Sequence, residues 1–131
     1  MAKYVYPAVF TKEEAGYSIN FPDLESCYTS APTLEEGMDM AQDVLCLTLY
    51  GLEQDEKAIS SASAVNDVPH GPEEFVTLVA CDTIEYRKFF DNKAVKKTLS
   101  IPSWLNDMAE RNGINFSGTL QEALKAKLNI G

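Results

Sequence analysis

The sequence predicts an α+β protein in two pieces, a β-β-β-α-β body followed by a strand-helix-helix module. Three observations carry that expectation. One amphipathic helix, opened by a capping box at Thr33, lies between three short β-rich segments and an apolar run at residues 75–81. Residues 94–131 read as strand, proline, helix, glycine, helix. Charge divides the chain at the same place: residues 1–93 carry 17 acidic and 6 basic side chains, and residues 94–131 carry 3 acidic and 5 basic ones.

Residues 3–11 (KYVYPAVFT) are β-rich, and Pro7 marks them as an edge strand or a bulge because it donates nothing to a ladder. Residues 17–21 alternate, with Tyr17, Ile19 and Phe21 on one face, and the two segments read as a hairpin. After the Pro22-Asp23 turn comes a short strand near Cys27–Thr29. In the helix, Leu34, Met38, Ala41, Leu45, Leu49 and Leu52 recur at helical spacing as one apolar face, and the helix ends around Gly51–Gln54. Residues 57–74 are a small, polar, Pro- and Gly-punctuated connector. Residues 75–81 (FVTLVAC) form a nearly continuous apolar run, which reads as a buried strand. Residues 83–93 read as a short helix or linker docked by Ile84, Phe89 and Phe90. The expected division is therefore 1–82, 83–93 and 94–131.

The 131 residues are 45% hydrophobic and 24% charged, an ordinary globular composition that excludes wholesale disorder. No apolar run approaches the roughly 18 residues of a membrane span. Pro7 interrupts the N-terminal apolar stretch and no small-residue cleavage site follows, so neither a signal peptide nor a membrane is expected, and the cytoplasm is the expected compartment. Cys27, Cys46 and Cys81 are odd in number and contain no CxxC, which argues against disulfides and zinc and for buried small apolar side chains. Any histidine chemistry would rest on His70 alone, in a loop. No metal and no cofactor are expected.

In the C-terminal module, Val95, Leu99 and Ile101 share one strand face, interrupted by Lys97, while Lys96, Thr98 and Ser100 share the other. Pro102 starts a helix with Leu105, Met108 and Ala109 as its stripe, and Gly113 closes it. Ser117 is the N-cap expected for a second helix, lined by Leu120, Ala123, Leu124 and Leu128. Such a module is too small to build a core alone, and its strand has no partner. Two copies would pair their strands antiparallel and pack four helices beneath them, so a homodimer follows. A two-stranded ribbon fits the major groove of B-DNA. Lys96, Thr98 and Ser100 would read bases, and the helix start at Ser117, Gly118 and Thr119 would take a phosphate.

With these residues in place, the whole chain resembles the antitoxins of the HicB family of type II toxin–antitoxin pairs. The stretches that carry the resemblance are YSINFPDLESC, TLEEGMDMAQDVLCLTLYGL and VKKTLSIPSWLNDMAERNGINFSGTLQEALKAKL. The resemblance implies a partial RNase H-like N-terminal domain that binds a small basic HicA-type toxin, an mRNA-cleaving enzyme. It also implies a C-terminal ribbon-helix-helix domain that dimerises, binds operator DNA and represses its own operon, with the toxin joining a hetero-oligomer. Lys97 departs from the motif, standing where an inward apolar residue is usual.

RNase H-like chemistry needs clustered carboxylates to hold two metal ions, and residues 3–11 contain neither Asp nor Glu. The expectation is therefore a binder and not an enzyme. Candidate toxin contacts are the acidic turn and helix start, Asp23, Glu25, Glu35, Glu36, Asp39 and Asp43, with Tyr28 and Tyr17 as aromatic anchors. The alternative is a ribbon-helix-helix regulator whose N-terminal domain binds a small ligand.

Overall fold

The computed structural model describes residues 2–130, in two compact units, Met1–Lys93 and Ala94–Gly131. The first contains strands β1 (Lys3–Glu13), β2 (Gly16–Asn20), β3 (Tyr28–Ala31) and β4 (Glu74–Asp82), with helices α1 (Leu34–Gln54) and α2 (Thr83–Phe90). The second contains α3 (Ser103–Arg111) and α4 (Phe116–Leu128). No helix of the described residues is long and apolar enough to cross a membrane.

The sheet is antiparallel in the order β3-β2-β1-β4, so β1 lies inside it. This corrects the edge-strand expectation for residues 3–11, and the register explains how Pro7 is tolerated. Lys12 N–H donates to the Glu73 carbonyl at 3.0 Å, so the even-numbered residues of β1 turn their backbone groups toward β4. The Pro7 nitrogen therefore points the other way. There β2 has already ended, since its last residue, Asn20, pairs with Val9. Pro7 occupies the half of β1 that is open on one side.

Helix α1 covers one sheet face. Phe10, Ile19, Phe21, Cys27, Ala41, Leu45, Leu49, Val79 and Cys81 form the centre of the core. The Thr33 hydroxyl accepts the Glu36 N–H at 3.2 Å, one of the two bonds of a capping box. The helix seats on Gly37, where an added Cβ would meet the rings and methyls of Phe10 and Ile19 at 3.3 and 3.4 Å. The buried face is thus Gly37, Ala41, Leu45 and Leu49, while Leu34 and Met38, expected on it, are exposed. All three cysteines are buried and unbridged.

Strand β4 corrects a second expectation. It is an edge strand in which Val79 and Cys81, on the α1 side, are buried while Leu78, on the other side, stays exposed. An unbroken apolar run looks the same whether one face or both are covered. Helix α2 is capped by Asp82, whose carboxylate accepts the N–H groups of Ile84 and Glu85. It docks through Tyr86, 5.4 Å from the Tyr50 ring, and through Arg87 stacked over the same ring. Phe89 and Phe90, expected to dock it, are exposed.

A polar latch closes the first unit where β1 begins, α1 ends and α2 begins. Tyr4 donates to a Glu53 carboxylate oxygen at 2.8 Å, and the fully buried Thr83 hydroxyl lies 3.0 Å from the same oxygen. Burial together with Glu53 pushes the Tyr4 hydroxyl up to about 12. For Glu53, burial works to raise the pKa, but the groups that bind its carboxylate, Tyr4 and Thr83 among them, together hold it below its usual value. A carboxyl depressed in the fold adds stability above its unfolded pKa, about 4.3, and that contribution is lost as pH falls through the folded value. Thermal melts should therefore show wild-type stability falling more steeply below about pH 4 than that of Glu53→Gln. Equal slopes would remove Glu53 from the acid response.

In the second unit, Gly113 adopts φ 64 and closes α3, with its N–H on the Glu110 carbonyl and Ile114 N–H on the Ala109 carbonyl, a Schellman cap. Residues 94–101, expected as a strand, carry no regular structure in the single chain, because a strand is defined by a ladder and this segment has no partner within its own module.

Candidate functional site

Glu35, Glu36, Asp39 and Asp43 all lie exposed on α1, and Asp39 and Asp43, four apart, share one side of the helix. The structure brings these four together. It uses Asp23 differently: its two carboxylate oxygens accept the Ser63 backbone N–H at 2.8 Å and the Ser63 hydroxyl at 2.6 Å, fastening the connector 57–74 to the β2–β3 turn. Glu25 is exposed on that turn, next to Ser26 at φ 56.

Tyr28 does not join the acidic stripe. Thr29 pairs with Ile19 of the core and so faces α1, which sends Tyr28, paired with Asn20, to the opposite face of the sheet. There Tyr28 stands 68% exposed. Tyr17 lies on the helix side, half-buried, edge-on to Phe10 and Phe75 and under the Lys12 ammonium. The residues proposed for one surface are therefore divided between two faces.

Beside the acidic stripe is a feature the sequence reading missed. Met40, Val44 and Leu47, at helical spacing on α1, meet Thr29 of β3 and Tyr86 and Phe90 of α2 around a groove of about 330 Å³ that Asp43 also lines. The signal was present as a second apolar stripe on α1, displaced from the core stripe. Its meaning depended on α2, whose packing the sequence did not disclose.

In the second unit, Lys96, Thr98 and Ser100 lie exposed and alternate with the exposed Val95, Leu99 and Ile101. The start of α4 differs from expectation. Its N-cap is Asn115, whose side-chain oxygen accepts the Gly118 N–H at 3.0 Å while its backbone carbonyl accepts Thr119 N–H. Ser117 is inside the helix. Asparagine caps at least as well as serine, and the earlier start adds about half a turn. Gly118 has a local role, since a Cβ there would press on the Asn115 side chain at 3.4 Å. Of the first-turn donors, Gly118 N–H is already used.

The comparisons with known proteins agree with one another. The model of the HicB-like antitoxin of bacterial toxin–antitoxin systems matches residues 6–123. A 14.9 kDa protein from the rep-hol intergenic region of Haemophilus phage HP1 is 25% identical over 104 residues, 77% of this chain and 75% of that protein. Antitoxin HicB 2 of Photorhabdus laumondii is 34% identical over 58 residues, 44% of this chain and 42% of that one. A solved chain of a toxin–antitoxin complex from Streptococcus pneumoniae is 26% identical, with a TM-score of 0.61 over 95% of this chain and 99% of that chain.

Proposed function

Because this chain belongs to the HicB-like antitoxin family, which is non-enzymatic, we propose that it neutralises a HicA-type toxin through Met1–Lys93 and binds its own operator through a dimer of Ala94–Gly131. The observation that carries the second half is the state of the C-terminal unit. None of its described residues is buried, and Val95, Leu99, Ile101, Trp104, Leu105 and Met108 all stand exposed. A unit of this size with no buried residue cannot offset its own chain entropy, and a second copy supplies both a core and a strand partner. The ribbon-helix-helix arrangement is the dimer that uses this order of elements. It places Lys96, Thr98 and Ser100 toward bases and the α4 start, including Ser117, Gly118 and Thr119, toward the backbone.

For the first half, the support is the family together with a body of formal charge −11, which suits a basic protein and repels nucleic acid. Neutralisation is then by cover, with the toxin's RNA-binding surface occupied by the antitoxin. DNA contact is confined to the ribbon and is salt-sensitive.

Calorimetric titration of the full chain with a HicA-type toxin tests the first half, and absence of binding would overturn it. For the second, Lys96→Ala should weaken specific operator binding by about 1–3 kcal/mol if it reads a base. Equal weakening on random DNA would make Lys96 a phosphate contact.

A further inference from the structure

We infer that the groove between α1, α2 and β3 is where the toxin inserts an apolar anchor side chain flanked by lysine or arginine, an inference that rests on the antitoxin reading above. Three observations support it. The groove is apolar and uncovered within its unit: Leu47 at its wall is 58% exposed and Phe90 64% exposed, with Met40 beside them. Contiguous exposure of such side chains around a concavity marks a recognition site more than a solubility surface. Its volume of about 330 Å³ accommodates one or two side chains, the scale of a hot-spot pocket.

The second observation is the charge at its rim. Asp43 is the single charged residue lining the groove, and Asp39, one turn back on α1, extends the same sign. No basic residue lines it. A partner that seats an apolar group here meets a carboxylate at the groove edge and a body of net negative charge around it. That selects a cationic partner and speeds its encounter.

The third is the contrast with the other sheet face. Val5, Tyr28 and Leu78 are exposed there, but Tyr28 on β3 is separated by β2 from Val5 on β1 and Leu78 on β4, and none of the three lines the groove. The α1 side has the shape, the anchors and the charge in one place.

The test uses the full chain, titrated calorimetrically with a HicA-type toxin. Leu47→Asp removes an anchor wall while adding a negative charge that would by itself favour a cationic partner. A rise in Kd of about 30-fold or more is expected, the scale of losing a buried leucine contact. Leu78→Asp on the opposite sheet face should leave Kd within about threefold, and circular dichroism melts confirm that both variants fold. Met40→Glu, on the same stripe, repeats the loss if Leu47→Asp does not fold. If the wild-type chain binds and both groove variants bind equally well, or if Leu78→Asp is the damaging change, the groove inference is overturned and the antitoxin reading stands. Failure of the wild-type chain to bind would remove the antitoxin reading instead.

Discussion

Leu99→Asp will make the chain monomeric and abolish specific operator binding while leaving toxin binding unchanged. Leu99 is 64% exposed in the single chain and lies on the apolar side of the 94–101 segment, with Val95 and Ile101. In the proposed dimer it is covered twice, once per copy. Burying a leucine is worth about 1.5–3 kcal/mol, so two copies supply about 3–6 kcal/mol of association. That is roughly two to four decades in dimer dissociation constant. Two carboxylates facing one another across the ribbon add repulsion and desolvation to the loss. Operator affinity falls with the dimer because a half-ribbon reaches only one half-site and contacts half as many phosphates. Analytical ultracentrifugation and an operator shift assay read both effects. A dimeric Leu99→Asp chain with intact operator binding would show that the 94–101 segment does not form the interface.

Gly16→Ala will lower the stability of the first unit more than any conservative core truncation. Gly16 has φ 140, outside the range of side-chain-bearing residues, and a Cβ there would stand 2.2 Å from the Ala31 carbonyl oxygen and 2.7 Å from the Pro32 Cα. Both obstacles are backbone, so no rotamer change relieves them. The β1–β2 turn would have to move away from the β3–α1 junction, breaking the end of the β2–β3 ladder, where Tyr17 pairs with Ala31. Strain and overpacking together cost about 3 kcal/mol or more. For a domain of this size that lowers the melting temperature by at least about 12 °C. Gly51→Ala is the control: nothing lies within 4 Å of the added Cβ, and helix propensity favours alanine by up to about 1 kcal/mol. A Gly16→Ala melt within a few degrees of wild type would mean that the turn can relax, contrary to the geometry.

The two units differ in what each owes to its own chain. Glu53, Tyr4 and Thr83 bind the ends of three elements within the first unit, and its core closes without help. The second unit has caps at both helices, Asn115 and the Gly113 Schellman turn, but no interior. Local hydrogen bonds define its helices, and packing is left to a partner. This separation allows one surface to be changed without the other, which both interface tests exploit.

Local chemistry was legible in the sequence. The Thr33 cap, the α1 limits, the Gly113 stop, the burial of the cysteines and the order of elements follow from short-range rules, because capping, periodicity and turn preference act over a few residues. The acidic face of α1 was legible for the same reason. Relations between distant segments were not legible. Whether Pro7 lies at an edge depends on where β2 ends, and Leu78 is exposed because it faces away from α1 on an edge strand. Asp23 is occupied because Ser63, forty residues away, folds back to it. The α4 cap at Asn115 in place of the expected Ser117 was missed because asparagine and serine cap about equally well, so residue preference does not separate positions two apart. The groove at Leu47 arises where three elements separated in sequence converge. The sequence by itself determined the elements of the first unit, the two C-terminal helices and the family. The tertiary structure alone decided which faces are covered, because burial is a property of what packs against a residue and not of the residue.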